Sequence, residues 1–214
     1  MHQSFELDRL KATDRYKLIA GLVVPRPIAF VTTLGADGVH NAAPYSFFNA
    51  FSEDPPLIIL GIGANVRGGE KDTGVNIRNG GEFVVNLVDE AMAQAMNVCA
   101  IDFPPDVSEI DVANLELVAS VLVAPARLKT APVAMECTHY QTLRPGNNRY
   151  LVIGEIKMIH VAEQIVDSET LRIDRDRYAP IGRLAGGGYC RTNDRFEMKR
   201  MSVEDGMTLI KDGQ

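Results

Sequence analysis

The sequence predicts an antiparallel barrel or an α+β fold, and three observations carry that reading. Strand-like runs fill much of the first third and return on themselves. IAFVTTL (Ile28 to Leu34) is β-branched and aromatic, and GADG (Gly35 to Gly38) is a turn signal that folds it back as a hairpin. Two long runs later in the chain, ARLKTAPVAMECTHYQTLRPG and NNRYLVIGEIKMIHVAEQIV, meet at a second turn, Pro145-Gly146-Asn147-Asn148. Helix-like segments interrupt the strands instead of alternating with them, which argues against a doubly wound parallel sheet.

In chain order, the strand that returns from GADG carries NAAPYSFFNAFSEDPP (Asn41 to Pro56), too apolar for a surface loop yet interrupted by Pro44, Ser46, Asn49 and Ser52. Pro44 is expected to end regular ladder pairing, and alternation then turns Phe47 and Phe48 to opposite faces. PPLIILGIG (Pro55 to Gly63) reads as a buried strand started by prolines and finished by glycines. In KDTGVNIRNGG, Asp72 or Thr73 is expected to cap a short helix that Asn79-Gly80-Gly81 ends. EFVVNLV (Glu82 to Val88) is a further strand. DEAMAQAMNVCA (Asp89 to Ala100) reads as a helix from its Ala and Met content and acidic first turn. IDFPPDVSEIDVANLEL is a loop with a short helix, and RYAPIGRLAGGGYCRTNDRF is basic, glycine-rich loop. The shift in composition near Val166 marks a C-terminal arm, from about residue 167, on a single domain spanning 1–214.

With 214 residues, 46% of them hydrophobic and 23% charged, the chain can bury a sizeable core. Its net charge of -6 excludes nucleic-acid binding through bulk electrostatics, which needs a dense basic face. Charge is uneven: Asn79 to Ala126 holds eight acidic residues and no Lys or Arg, whereas Leu171 to Arg200 holds eight basic residues against four acidic. These tracts are read as two solvated faces, or as complementary patches between subunits. Cys99, Cys137 and Cys190 are odd in number and widely spaced, which fits a reducing cytoplasm and no zinc site. The charged N-terminus does not read as a signal peptide, and no apolar run approaches membrane-span length, so no membrane partner is expected.

Standard catalytic signatures are absent: there is no GxGxxG after a strand, no Walker lysine loop, no HExxH and no GxSxG. His2, His40, His139 and His160 stand apart, and no metal site is expected. What stands out is a set of short hydroxyl, amide and basic groups at strand ends: Thr32, Thr33, Ser46, Asn49, Arg67, Lys71, Asp72 and Thr73. Lys71 and Thr73 fall at a helix start, where free backbone N–H groups and the dipole favour an anion such as a phosphate. The plain alternative for Asp72-Thr73 is a helix cap.

PRPIAFVTT (Pro25 to Thr33), NAAPYSFFN (Asn41 to Asn49), KDTGVNI (Lys71 to Ile77), EFVVNL (Glu82 to Leu87) and IGEI (Ile153 to Ile156) together resemble the flavin reductase-like family, in its flavoredoxin-like branch. The resemblance runs in order from about Tyr16 to Tyr189. It implies a mainly β fold, a six-stranded antiparallel FMN-binding split barrel with inserted helices, normally a homodimer with FMN near the subunit interface.

Carried onto this chain, the resemblance implies that Thr32 and Thr33 lie on a flavin-lining strand and that Thr33 and Ser46 offer hydroxyls. Phe47 would supply backbone and ring contacts, and Asn41 or Asn49 amide contacts. Lys71, Asp72 and Thr73 would form the phosphate end, and Arg183 or Tyr189 would cover the ring or the partner's site. FMN joins a phosphate dianion to a flat apolar ring, so an anion cradle at one end and an apolar slot at the other suit it. The implied activity is an FMN-dependent oxidoreductase, a flavin reductase taking hydride from NADH or NADPH with no obligatory protein acid or base. The alternative is an electron carrier reduced by a protein redox partner. Arg149 stands where relatives often carry a histidine, which bears on nicotinamide use.

Overall fold

The computed structural model describes residues 1–65, 68–103, 107–146 and 149–212. Arg67 and the turn residues Asn147 and Asn148 lie outside the described residues. After a short helical turn at Leu7–Arg9, the chain forms α1 (Ala12–Leu22), β1 (Ala29–Leu34), β2 (His40–Tyr45), β3 (Phe48–Glu53), β4 (Pro56–Ile62), α2 (Asp72–Gly80) and β5 (Glu82–Leu87). There follow α3 (Ala93–Val98), α4 (Glu109–Val112), the short β6 (Leu117–Val118) and β7 (Arg127–Leu128), and the long hairpin β8 (Val133–Gly146) and β9 (Arg149–Val161). The chain ends with β10 (Ile181–Arg183), β11 (Tyr189–Arg191) and α5 (Val203–Asp212). No helix among the described residues is long and apolar enough to cross a membrane.

Seven strands, not six, make the main sheet, in the order β2-β1-β5-β8-β9-β4-β3 with every pair antiparallel. The extra strand arises because the return strand is cut in two at Ser46-Phe47. Its halves, β2 and β3, occupy the two opposite edges of the sheet. Tyr45 and Phe48 are three residues apart, so the edges must approach within roughly 11 Å at that point. The sheet therefore curls until its edges meet at one corner, which is the split of a split barrel.

The cut falls later than the sequence suggests. Pro44 does not end the ladder, because it sits in register opposite Phe30. As β2 is an edge strand, its missing N–H need cost no pairing. Beyond the cut, the Gly61 N–H donates to the Phe47 carbonyl at 2.6 Å, and a Cβ on Gly61 would lie 2.8 Å from that of Phe47. Glycine is thus what lets β4 carry the junction.

Alternation along β1 divides the molecule into two packed layers. Ala29 and Val31 point into an inner cluster with Tyr45, Phe48, Leu60, Phe83 and Val152. Phe30 points outward to Met92, Met96 and Ile110 beneath α3 and α4. Ile77 places α2 against the inner cluster. The α2 N-cap is Lys71 without a side-chain cap bond, not Asp72 or Thr73, while Gly81 ends the helix at φ 74° as the glycine run predicts. α3 spans only Ala93–Val98, because Asp89 serves instead to accept from the Met92 N–H at 3.1 Å. The acidic and basic tracts meet within the chain, where Arg191 forms an exposed ion pair with Glu90.

Candidate functional site

Two groups of polar side chains lie along β2, one near each end. Toward its start, the first turn of α2 is pinned to the barrel by two amide–hydroxyl bonds. Asn41 Nδ2 donates to Thr73 Oγ1 at 2.9 Å, and Asn76 Nδ2 donates to Thr33 Oγ1 at 3.0 Å. Thr33 and Asn41 are paired across β1 and β2, so the ladder itself presents both groups to the helix. Both threonines accept there, leaving their hydroxyl protons to donate elsewhere. The Tyr45 hydroxyl is buried beside Thr73; burial, above all, pushes its pKa up.

Lys71 reaches across this turn to Asp102, Nζ to Oδ1 at 3.0 Å, with both side chains largely buried. Asp72 and Glu109 are also close. Burial, followed by the charges of Asp72 and Asp102, raises the Glu109 carboxyl, and Lys71 pulls it partly back. One lysine therefore sits among three carboxylates. This surrounding acidity was not legible in the KDT block.

At the other end, the chain leaves β2 for β3 through Ser46 and Phe47. Phe47 is 43% exposed, whereas Phe48 is buried in the inner cluster, so the two rings do face opposite sides. Behind Phe47 lies Arg26, only 6% exposed. Its Nη1 donates to the Ala20 carbonyl and to that of Val23 at 2.8 Å, Nη2 to that of Leu184 at 3.2 Å, and Nε to Ser46 Oγ at 3.4 Å. The guanidinium carbon is 5.9 Å from the Phe47 ring centroid, and the exposed Tyr16 ring of α1 is 6.2 Å away on that ring. Backbone bonds between Arg26 and Arg183, at 3.0 and 2.8 Å, bring the β10–β11 ribbon to the same place. There Arg183 lies 4.5 Å over the Tyr189 ring.

Of the sequence-predicted residues, the structure gathers Thr33, Asn41, Lys71, Asp72 and Thr73 at one group, and Ser46 and Phe47 at the other with Arg183 and Tyr189 alongside. Asn49 is exposed on β3, its Oδ1 accepting from the Ala50 N–H at 2.9 Å. Thr32 belongs to neither group. It lies on the opposite face of β1, fully buried, donating to the Ala126 carbonyl at 2.6 Å. Sequence reasoning missed Arg26, although it lies within the PRPIAFVTT block. It also missed Glu70, which binds both Arg78 and the Tyr150 hydroxyl, with Arg78 stacked 4.5 Å over the Tyr150 ring. A cavity of about 340 Å³ opens at the far end of α2, lined by Leu34, Val75, Asn79 and Glu82 among others; none of the predicted residues lines it. No group of three or more His, Cys, Asp or Glu side chains is placed to hold a metal ion among the described residues.

A rolled antiparallel sheet, a helix start pinned to its inner face and an exposed aromatic at its split define a split-barrel protein. The chain belongs to the flavin reductase-like domain family, whose match covers residues 21–182. It is 39% identical over 203 residues to the uncharacterised protein YwrF of Bacillus subtilis (strain 168), covering 92% of this chain and 98% of the relative. Among solved structures it resembles the 2-nitrobenzoate 2-nitroreductase NbaA of Pseudomonas fluorescens, at 38% identity, TM-score 0.86, and 94% and 98% coverage of the two chains. Nitrilotriacetate monooxygenase component B from Bacillus cereus matches at 36% identity, TM-score 0.87, and 92% and 99% coverage. Membership implies a flavin cofactor. The donor set suits one: hydroxyls, first-turn amides and a lysine at one end, and an exposed ring backed by a hydroxyl and an arginine at the other.

Proposed function

We propose that this protein is an FMN-dependent oxidoreductase of the flavin reductase type, using NADH or NADPH, with the flavin ring at the barrel split and its phosphate at the first turn of α2. The observation that carries the reading is the conjunction at the split, where a serine hydroxyl, an exposed phenylalanine and a buried arginine occupy one junction between strands. Five residues of extended chain separate Asn41 from Ser46, about 17 Å, so one elongated ligand can serve both groups. When bound, the flavin supplies the redox chemistry by accepting hydride and passing electrons on.

The chain's own residues bind and orient. Thr73, the amides of the first α2 turn and Lys71 hold the phosphate, with Lys71 exchanging Asp102 for it. Ser46 accepts from Arg26 and therefore turns its proton outward, presenting a donor to the ring. Phe47 offers an apolar wall, and Arg183 and Tyr189 cover it. Asn41 and Thr33 act through α2 by fixing its position. The protein works as a homodimer in a reducing cytoplasm, as one domain with a C-terminal arm after about residue 167.

Mixing FMN-loaded protein rapidly with NADH and with NADPH is expected to bleach the oxidised flavin absorbance with at least one of them. Bleaching by neither overturns the reductase reading. Electron transfer from a protein partner is the second reading, favoured by Arg149, whose guanidinium lies beside Gly63 at the start of β9. It predicts bleaching only when a partner reductase is added.

A further inference from the structure

We infer that Arg26 is the fixed positive charge of the site, a positioning residue that favours the reduced, anionic form of the flavin over the oxidised form. The inference rests on the flavin reading above and gives Arg26 a role beyond orienting Ser46.

A buried guanidinium ordinarily has a carboxylate partner, because desolvating a lone cation is costly. Among the described residues Arg26 has none. Its partners are three backbone carbonyls and one serine hydroxyl. Two of the carbonyls, of Ala20 and Val23, lie at the C-terminal end of α1, where the helix dipole gives partial negative charge. That makes the charge tolerable without neutralising it, and a net positive charge remains behind Ser46 and Phe47. Three separate parts of the chain are recruited to hold it there: the end of α1, the β2–β3 junction and Leu184 after β10.

Hydride transfer from a dihydronicotinamide breaks one C–H bond and forms one N–H bond on the flavin ring, leaving oxidised nicotinamide. Two electrons and one proton move. Without a further proton the ring would carry one extra negative charge, and a fixed cation behind Phe47 would favour it over the neutral ring. By linkage, that difference in affinity appears as a raised reduction potential. Arg26 acts both directly, through its charge, and through Ser46, whose outward proton it polarises.

The test compares wild type, Arg26→Gln and Arg26→Lys for FMN affinity in both redox states and for midpoint potential. Arg26→Gln is expected to lose about tenfold more affinity for reduced FMN than for oxidised FMN, a potential lower by about 30 mV. Arg26→Lys should recover most of that difference. In the wild type, the bound potential should change by about 30 mV per pH unit at mildly acid pH, one proton per two electrons, where two protons would give about 60 mV. This last reading stands even if Arg26→Gln fails to fold. An unchanged potential in folded Arg26→Gln, or a two-proton slope in the wild type, overturns the inference while leaving flavin binding intact. Wild-type protein that binds no FMN removes the reading beneath it.

Discussion

Replacing Glu136 by alanine is expected to cost about 3–5 kcal/mol of folding stability, the range for breaking a buried charged partnership. Glu136 lies on β8 with no exposed surface. Its Oε1 accepts from the Val121 N–H at 2.8 Å and faces His160 Nε2 at 2.6 Å, and Oε2 accepts from the Leu122 N–H at 2.6 Å. The segment between β6 and β7 is strapped to the sheet by side chains: Ala124 N–H to Glu82 at 2.7 Å, Ala126 N–H to His40 at 3.0 Å and Thr32 to the Ala126 carbonyl. Glu136 supplies two further anchors, from the Val121 and Leu122 amides, and alanine would strand both. Burial pulls the Glu136 carboxyl up, but the bonds from Val121, His160 and Leu122 outweigh it and hold the pKa below the usual value. A depressed carboxylate contributes fully above its unfolded pKa, and the contribution fades as pH falls through the folded one. Urea unfolding at neutral pH should show the full gap between wild type and variant, and the gap should shrink in acid. A neutral-pH loss under about 1 kcal/mol would refute this anchoring role.

Lys71→Met should weaken FMN binding by about tenfold, near 1.4 kcal/mol, while riboflavin, which lacks the phosphate, should bind within twofold of wild type. The difference between the two ligands isolates the phosphate end. Among the described residues Lys71 is the cation paired with Asp102 beside Asp72 and Glu109, so its removal leaves these carboxylates facing the anion. Fluorescence titration of both flavins reads the effect. Equal weakening of FMN and riboflavin would mean that Lys71 supports the fold at α2 and does not meet a phosphate.

Much of the barrel is readable in the residues themselves. β1 and β5 announce themselves by β-branched runs, and α2 by the glycines that stop it. The division of NAAPYSFFNAF into two edge strands is not readable, because its apolar content runs through the cut. What divides it is tertiary, namely that β1 claims Tyr45 as a partner of Ala29 while β4 claims Phe48 as a partner of Leu60. The site shows the same limit. Thr32 and Thr33 are chemically identical neighbours, and only the strand's alternation sends one to α2 and the other to the strap before β7. Arg26 is buried by contacts as distant in sequence as Leu184, so no local pattern marks it. Lys71 reads as a free cation until the fold brings Asp102 and Glu109 beside it.

The central claim, that the interruption between β2 and β3 is the flavin site, is tested most directly by a crystal structure of the protein grown with FMN. The account predicts ring density against Phe47 within hydrogen-bond reach of Ser46, and phosphate density at the first turn of α2 touching Thr73 and Lys71. Flavin seated in the cavity at the far end of α2, or anywhere that leaves Ser46 and Phe47 untouched, would contradict it.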